Sequence, residues 1–173
     1  MAPMYVNCFM YRFEMEHILE PFKAKILMYA RFIDDLFFII NRDLCTASDM
    51  VASINMASPN IELTMTASPT TVDFLDVRVS IEDNKIMYTL FTKPTDRNTL
   101  LHATSFHPNP LKTSLPYSQF LRVYRNNAEP ERAQEQINTM WDKFLECGYK
   151  KSTLNSALHR CHHTKTIPDI KNQ

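Results

Sequence analysis

Two adjacent carboxylates, Asp34 and Asp35, fall between the apolar runs Lys25–Phe32 and Leu36–Ile40. Such runs read as the strands of a β-hairpin with the acids at its tip. Like charges side by side repel, and apolar strands give them no countercharge. Ordinary hairpin turns take one Asp beside Gly or Asn. A divalent cation would resolve the conflict: Mg²⁺ takes oxygen ligands and keeps waters and phosphates in its shell. Two such ions can clamp the attacking and leaving oxygens of a nucleotidyl transfer. An exposed acidic turn without metal accounts for the same residues, and residue types alone leave both readings open.

A second group near the end of the chain also has chemistry-bearing side chains: His159, Cys161, His162 and His163. A zinc site needs four ligands, and Cys147 is the sole further candidate nearby, so a helix with a solvated end is the simpler reading. Cationic residues offer phosphate contacts. Arg122 and Arg125 share a helix face at i, i+3, with Lys112 and Tyr117 just before it; Lys93 and Arg97 follow the last strand. Each such contact adds a salt-dependent increment of nucleic-acid affinity. A solvated basic face is the alternative.

The elements that position these groups follow from periodicity. Residues 3–20 read as a helix with Tyr5, Val6, Phe9, Met10, Phe13 and Ile18 on one stripe, closed by Pro21. Residues 46–57 read as an amphipathic helix capped by Thr46 or Ser48, with Met50, Val51 and Ile54 inside. Residues 61–66 alternate as a strand, and 72–81 and 85–92 form a second hairpin across Asp83-Asn84. Residues 94–116, rich in Pro, Thr, His and Asn, read as an irregular connection. Helices are expected at 116–127, 130–147 and 151–162, with Gly148 ending the second. The fold class expected is α+β: antiparallel hairpins with helices, then a helical segment.

Composition sets the frame. The chain has 173 residues, 45% of them hydrophobic and 22% charged, with net charge zero. That neutrality hides an asymmetry: residues 1–90 hold 7 Lys/Arg against 12 Asp/Glu, a balance of −5, and residues 91–173 hold 12 against 7, a balance of +5. An acidic half before a basic half suits a metal centre beside a nucleic-acid-gripping module. Four scattered cysteines without a CxxC pair fit reduced thiols and an intracellular, nuclear or cytoplasmic setting. No secretory signal is visible, and the longest apolar segment, Leu36 to Ile40, is too short to span a membrane. A single Gly suggests that a glycine-dependent part of a nucleotide-binding enzyme lies elsewhere.

Taken together, Tyr29-Ala30-Arg31-Phe32-Ile33-Asp34-Asp35-Leu36-Phe37-Phe38-Ile39 resembles the motif C hairpin of reverse transcriptases. Met1 to Met10 resembles the end of motif B, Ile61 to Thr64 falls in the motif D region, and Phe74-Leu75-Asp76-Val77 resembles motif E. The run Thr92-Lys93-Pro94-Thr95-Asp96-Arg97-Asn98-Thr99-Leu100-Leu101, then Ser105-Phe106-His107-Pro108, resembles the palm-to-thumb stretch of Penelope-like retroelements. Tyr117 to Arg122 and Phe144 to Tyr149 continue the likeness, which covers about residues 1–160.

That resemblance implies a partial polymerase palm over 1–93, a connection and helical thumb over 94–163, and a tail over 164–173. Asp34 and Asp35 become catalytic ligands of two Mg²⁺ ions. Phe74, Leu75 and Asp76 become a primer grip, and Ala2 and Pro3 support a nucleotide pocket. Lys93, Arg97, Lys112, Arg122 and Arg125 hold an RNA template–DNA primer duplex, with dNTP as co-substrate and no membrane partner. The motif A carboxylate is expected to be missing, so a fragment of an RNA-directed DNA polymerase, inactive alone, is the first expectation. A non-catalytic nucleic-acid-binding remnant is the second, and a decayed reading frame without a stable fold the third. Oligomeric state is not legible.

Overall fold

The structure is a computed structural model that describes the backbone of residues 2–93 and 99–164 and the side chains of 4–93 and 99–163. Its architecture is mixed α+β, with helices and small antiparallel sheets, as the sequence predicts at that level. The chain divides into two compact units, Met1–Phe74 and Leu75–Gln173.

In the first unit, helix α1 (Ala2–Glu14) continues through a π-helical turn at Met15–Leu19 into the short α2 (Glu20–Phe22). Pro21 therefore does not close the helix as expected. A proline ring crowds the carbonyl four residues back and offers no N–H. The widened turn lies over those residues and lets the chain pass through. Only the later part of the expected stripe is buried: Phe13 and Ile18 are inside, whereas Tyr5 is 77% and Val6 53% exposed.

Strands β1 (Ile26–Phe32) and β2 (Asp35–Ile40) pair antiparallel, with Phe32 opposite Asp35. Helix α3 (Ala47–Ala57) is capped by Thr46, whose Oγ1 accepts from the Asp49 N–H at 3.1 Å. Met50 and Ile54 join Phe13, Ile18 and Phe22 in this unit's core. The strand expected at 61–66 is absent. Its backbone is satisfied by a side chain instead: the Leu63 N–H donates to Asn55 Oδ1 at 2.7 Å, and Asn55 Nδ2 donates to the Leu63 carbonyl at 3.0 Å. Alternation gave the right faces, but an amide side chain mimics the ladder partner. The unit ends on β3 (Thr71–Phe74), where Phe74 packs on Phe37 with ring centroids 5.3 Å apart.

In the second unit, β4 (Val77–Glu82) and β5 (Lys85–Leu90) form a hairpin across Asp83-Asn84, both with positive φ (+49° and +61°). That turn is where the sequence puts it, because Asp and Asn tolerate the left-handed region. The strand expected at 72–81 is broken, since Leu75 takes φ +54° and the chain turns before Val77.

Helix α4 (Asn109–Arg125) starts seven residues before the expected 116. Proline-rich text reads as irregular, yet Pro110 sits in the first turn, where its fixed φ suits a helix start. Pro116 lies inside the helix and gives up one backbone bond, while its ring is fully buried. Helices α5 (Pro130–Glu146) and α6 (Lys151–Thr164) complete the unit close to the expected bounds. Phe120, Val123, Ile137, Phe144, Leu154 and Cys161 form the core that the three helices share. Among the described residues, no helix is long and apolar enough to cross a membrane.

Candidate nucleic-acid interface

The turn between α5 and α6 is built from sequence-local rules. Gly148 takes φ +78° just past the end of α5. Its N–H donates to the Leu145 carbonyl at 2.9 Å, and the Tyr149 N–H donates to the Phe144 carbonyl at 3.1 Å. Those two bonds are the pair of a Schellman stop. The apolar contact that accompanies it is present too, because the Phe144 and Tyr149 rings meet edge-on at 5.1 Å. Lys150 then accepts from the Thr153 and Leu154 N–H groups, and α6 begins. The connection is four residues long, Cys147 to Lys150, and contains glycine, which is the form of a helix–turn–helix corner.

Burial fixes which way α6 faces. Leu154, Ala157 and Cys161 are buried at i, i+3 and i+7. Lys150, Lys151, Ser152, Asn155, Ser156, His159 and Arg160 are exposed. No Asp or Glu occurs from Cys147 to His163. Helix α5 differs sharply, with Glu131, Glu135, Asp142 and Glu146 against Arg132 and Lys143. On α6 and at its start Lys150, Lys151 and Arg160 thus stand without an acid, as Lys112, Arg122 and Arg125 do on α4. Arg160 is braced, its guanidinium stacked over the Tyr117 ring at 4.3 Å.

The residues singled out from sequence fall in several places. Asp34 and Asp35 are exposed at the β1–β2 tip. Arg31 holds that tip, donating to the Ile33 carbonyl at 3.0 Å and pairing with the buried Glu14 carboxylate. Among the described residues, no group of three or more His, Cys, Asp or Glu is placed to hold a metal ion. Leu75, Asp76, Lys93 and Arg122 come together around one pocket of about 690 Å³. Within it Arg122 donates to Asp76 at 2.7 Å, so these two charges face each other. Phe74 lies in β3, in the first unit. Lys112 Nζ donates to the Ser105 carbonyl at 3.0 Å. Arg125 is exposed at the end of α4. Ala2 and Pro3 lie in α1, with side chains outside the described residues, as is Arg97 altogether.

The His/Cys group is divided by the fold. Cys147 and Cys161 are buried, and their Sγ atoms point to the Leu100 and Tyr117 carbonyls at 3.6 and 3.5 Å. Burial pushes the Cys161 thiol above its ordinary pKa, with Arg160 opposing weakly. His162 packs on Tyr124, with ring centroids 5.6 Å apart. His159 and His163 meet each other instead.

The sequence places nucleic-acid contacts on α4 and its approaches and singles out no phosphate contact on the face of α6, although the acid-free stretch directly after the Gly148 stop is legible there.

Comparison with known proteins bears on these residues directly. Residues 99–159 match the family model of the animal helix-turn-helix domain. The chain matches no curated protein and no solved structure. No reverse transcriptase family matches, so the likeness to a Penelope-like reverse transcriptase is corrected: the stretch read as a polymerase thumb is similar to a helix-turn-helix domain.

Proposed function

We propose that the second unit is a non-catalytic DNA-binding module in which α6 is the recognition helix. The observation that carries this is the exposed, acid-free face of α6 set directly after a glycine-bearing helix–turn–helix corner. In such modules the second helix enters the major groove and its first turns meet the base edges. Lys150 and Lys151 stand at the helix start, where ammonium groups reach phosphate oxygens. Ser152, Asn155 and Ser156 follow on the same face. Hydroxyls and a carboxamide can both donate to and accept from base edges, and an Asn pairs best with adenine. Ser152 to Ser156 spans about 6 Å at roughly 1.5 Å per residue, some two base pairs of contact. The family match over residues 99–159 supports the same assignment.

Binding of the full chain to duplex DNA, followed by fluorescence anisotropy across salt concentrations, tests this reading. Wild type should show a linear loss of log affinity with log salt. The double variant Lys150→Ala/Lys151→Ala should reduce the slope by about 1.8, since each phosphate that is no longer neutralised removes roughly 0.9. A wild type that binds no duplex at low salt overturns the proposal, as does a folded double variant with an unchanged slope.

A further inference from the structure

The exposed end of α6 carries a feature that DNA contact does not require. His159 and His163 lie one turn apart, and their Nε2 atoms approach to 3.1 Å. The ring planes meet at 62°, with centroids 4.4 Å apart. In that contact one Nε2 donates and the other accepts, which holds the two ring nitrogens at a chelating distance.

That separation has a meaning in coordination geometry. Metal–imidazole bonds of about 2.0–2.1 Å put two cis nitrogens about 2.9 Å apart at a right angle and about 3.3 Å apart at the tetrahedral angle. The observed spacing lies between the two. We propose that His159 and His163 form a two-imidazole site for a late first-row divalent cation, with waters filling the remaining positions. Binding moves no net proton. The ring that donates through Nε2 shifts its proton to Nδ1, and each Nε2 then offers a lone pair to the metal. A helix C-terminus favours positive charge, and both ligands lie in the last turns of α6. Neighbouring candidates are committed elsewhere: Cys161 is buried against the Tyr117 carbonyl, and His162 packs on Tyr124. Among the described residues the site therefore has two protein ligands, and Cu²⁺ should bind it more tightly than Ni²⁺ or Zn²⁺.

Cu²⁺ is the probe. The full chain is titrated in a Cys8→Ser background, which removes the exposed thiol, with electron paramagnetic resonance reading nitrogen ligation. One stoichiometric site with two nitrogen ligands is expected. His159→Ala and His163→Ala should each weaken it by about tenfold or more, because one of two anchoring imidazoles is gone. His162→Ala should leave it intact. Circular dichroism confirms that the variants fold, as substitution of exposed residues should allow. Retained affinity in both His159→Ala and His163→Ala, or an equal loss in His162→Ala, overturns the assignment. The outcome is separate from DNA binding, which Lys150→Ala/Lys151→Ala tests.

Discussion

The β1–β2 hairpin and the α5–α6 corner are each marked in the sequence by a few local residues, but the fold treats them differently. At the hairpin the apolar residues before the acids stay in solvent, Phe32 at 53% and Ile33 at 69% exposed, while Leu36 and Phe37 after them turn inward. At the corner the flanking aromatics are inside, with Phe144 at 0% and Tyr149 at 6%. A motif whose neighbours are buried is tied to a tertiary structure. One whose preceding neighbours are exposed is held by its turn and, here, by the Arg31–Glu14 pair at its base. The corner lies inside the stretch that matches the animal helix-turn-helix model, and the hairpin lies outside it.

The largest expected effect breaks the corner's support. Phe144 meets Phe120 and Tyr149 edge-on, at 5.7 and 5.1 Å. Phe144→Ala should cost about 3–5 kcal/mol, as the missing burial adds to the cavity left behind. Trp141, the single tryptophan, stacks on Phe120 in the same core, so urea unfolding followed by its fluorescence reads the change. A midpoint that stays put would remove the contrast drawn above. A smaller loss is expected at the turn itself. Gly148→Ala must hold φ +78° with a Cβ placed 3.2 Å from His102 Cε1. Destabilisation of roughly 1–2 kcal/mol should follow on the same probe.

Much of the architecture was legible because it rests on local chemistry. The Thr46 cap, the Asp83-Asn84 turn and the Gly148 stop each need only a few adjacent residues. What was illegible depended on distant or unusual partners. Asn55 replaces a strand partner for Leu63, and nothing in the alternating text of 61–66 shows that. The start of α4 was hidden because its prolines occupy positions where a helix tolerates them. Scarcity of glycine does not prevent tight turns in this chain. Ile33, Leu75, Asp83 and Asn84 all adopt positive φ, so side-chain-bearing residues make turns that glycine usually makes. At the candidate site, counting cations pointed to α4. Which cations are already paired is a tertiary fact: Asp76 takes Arg122, and the Ser105 carbonyl takes Lys112.

The hairpin can be sharpened by relieving its own strain. Ile33 is β-branched and holds φ +57°, a conformation that is costly for such a side chain. It is also exposed, so little packing is sacrificed on replacement. Ile33→Asn should stabilise the hairpin by about 0.5–1 kcal/mol, because Asn tolerates the left-handed region. Hydrogen exchange at Arg31 and Leu36, cross-strand partners beside the turn, should slow accordingly. Faster exchange would mean that Ile33 itself is held by contacts.

The smallest effect concerns a charge pair that ties the β4–β5 hairpin to α5. Arg132 donates to both oxygens of Glu82, at 3.2 and 2.8 Å, and also pairs with Glu129 at 2.7 Å. The Arg132 hydrogen bond, followed by that from Ser80, holds the Glu82 carboxyl below the usual carboxylate range. A carboxylate with a depressed folded pKa contributes stability above its unfolded value and loses it as pH falls through the folded value. Both side chains are about two-fifths exposed, so water and salt screen the pair and its contribution is small. Glu82→Gln should therefore leave the Trp141 unfolding midpoint almost unchanged at neutral pH and flatten its decline in acid. Direct titration of the Glu82 carboxyl carbon by NMR reads the cause, and Arg132→Gln should return it toward the ordinary range. If that titration does not move, the bidentate contact does not set the Glu82 charge, and the hairpin is held to α5 by other contacts, the Gln136 amide on the Leu90 carbonyl among them.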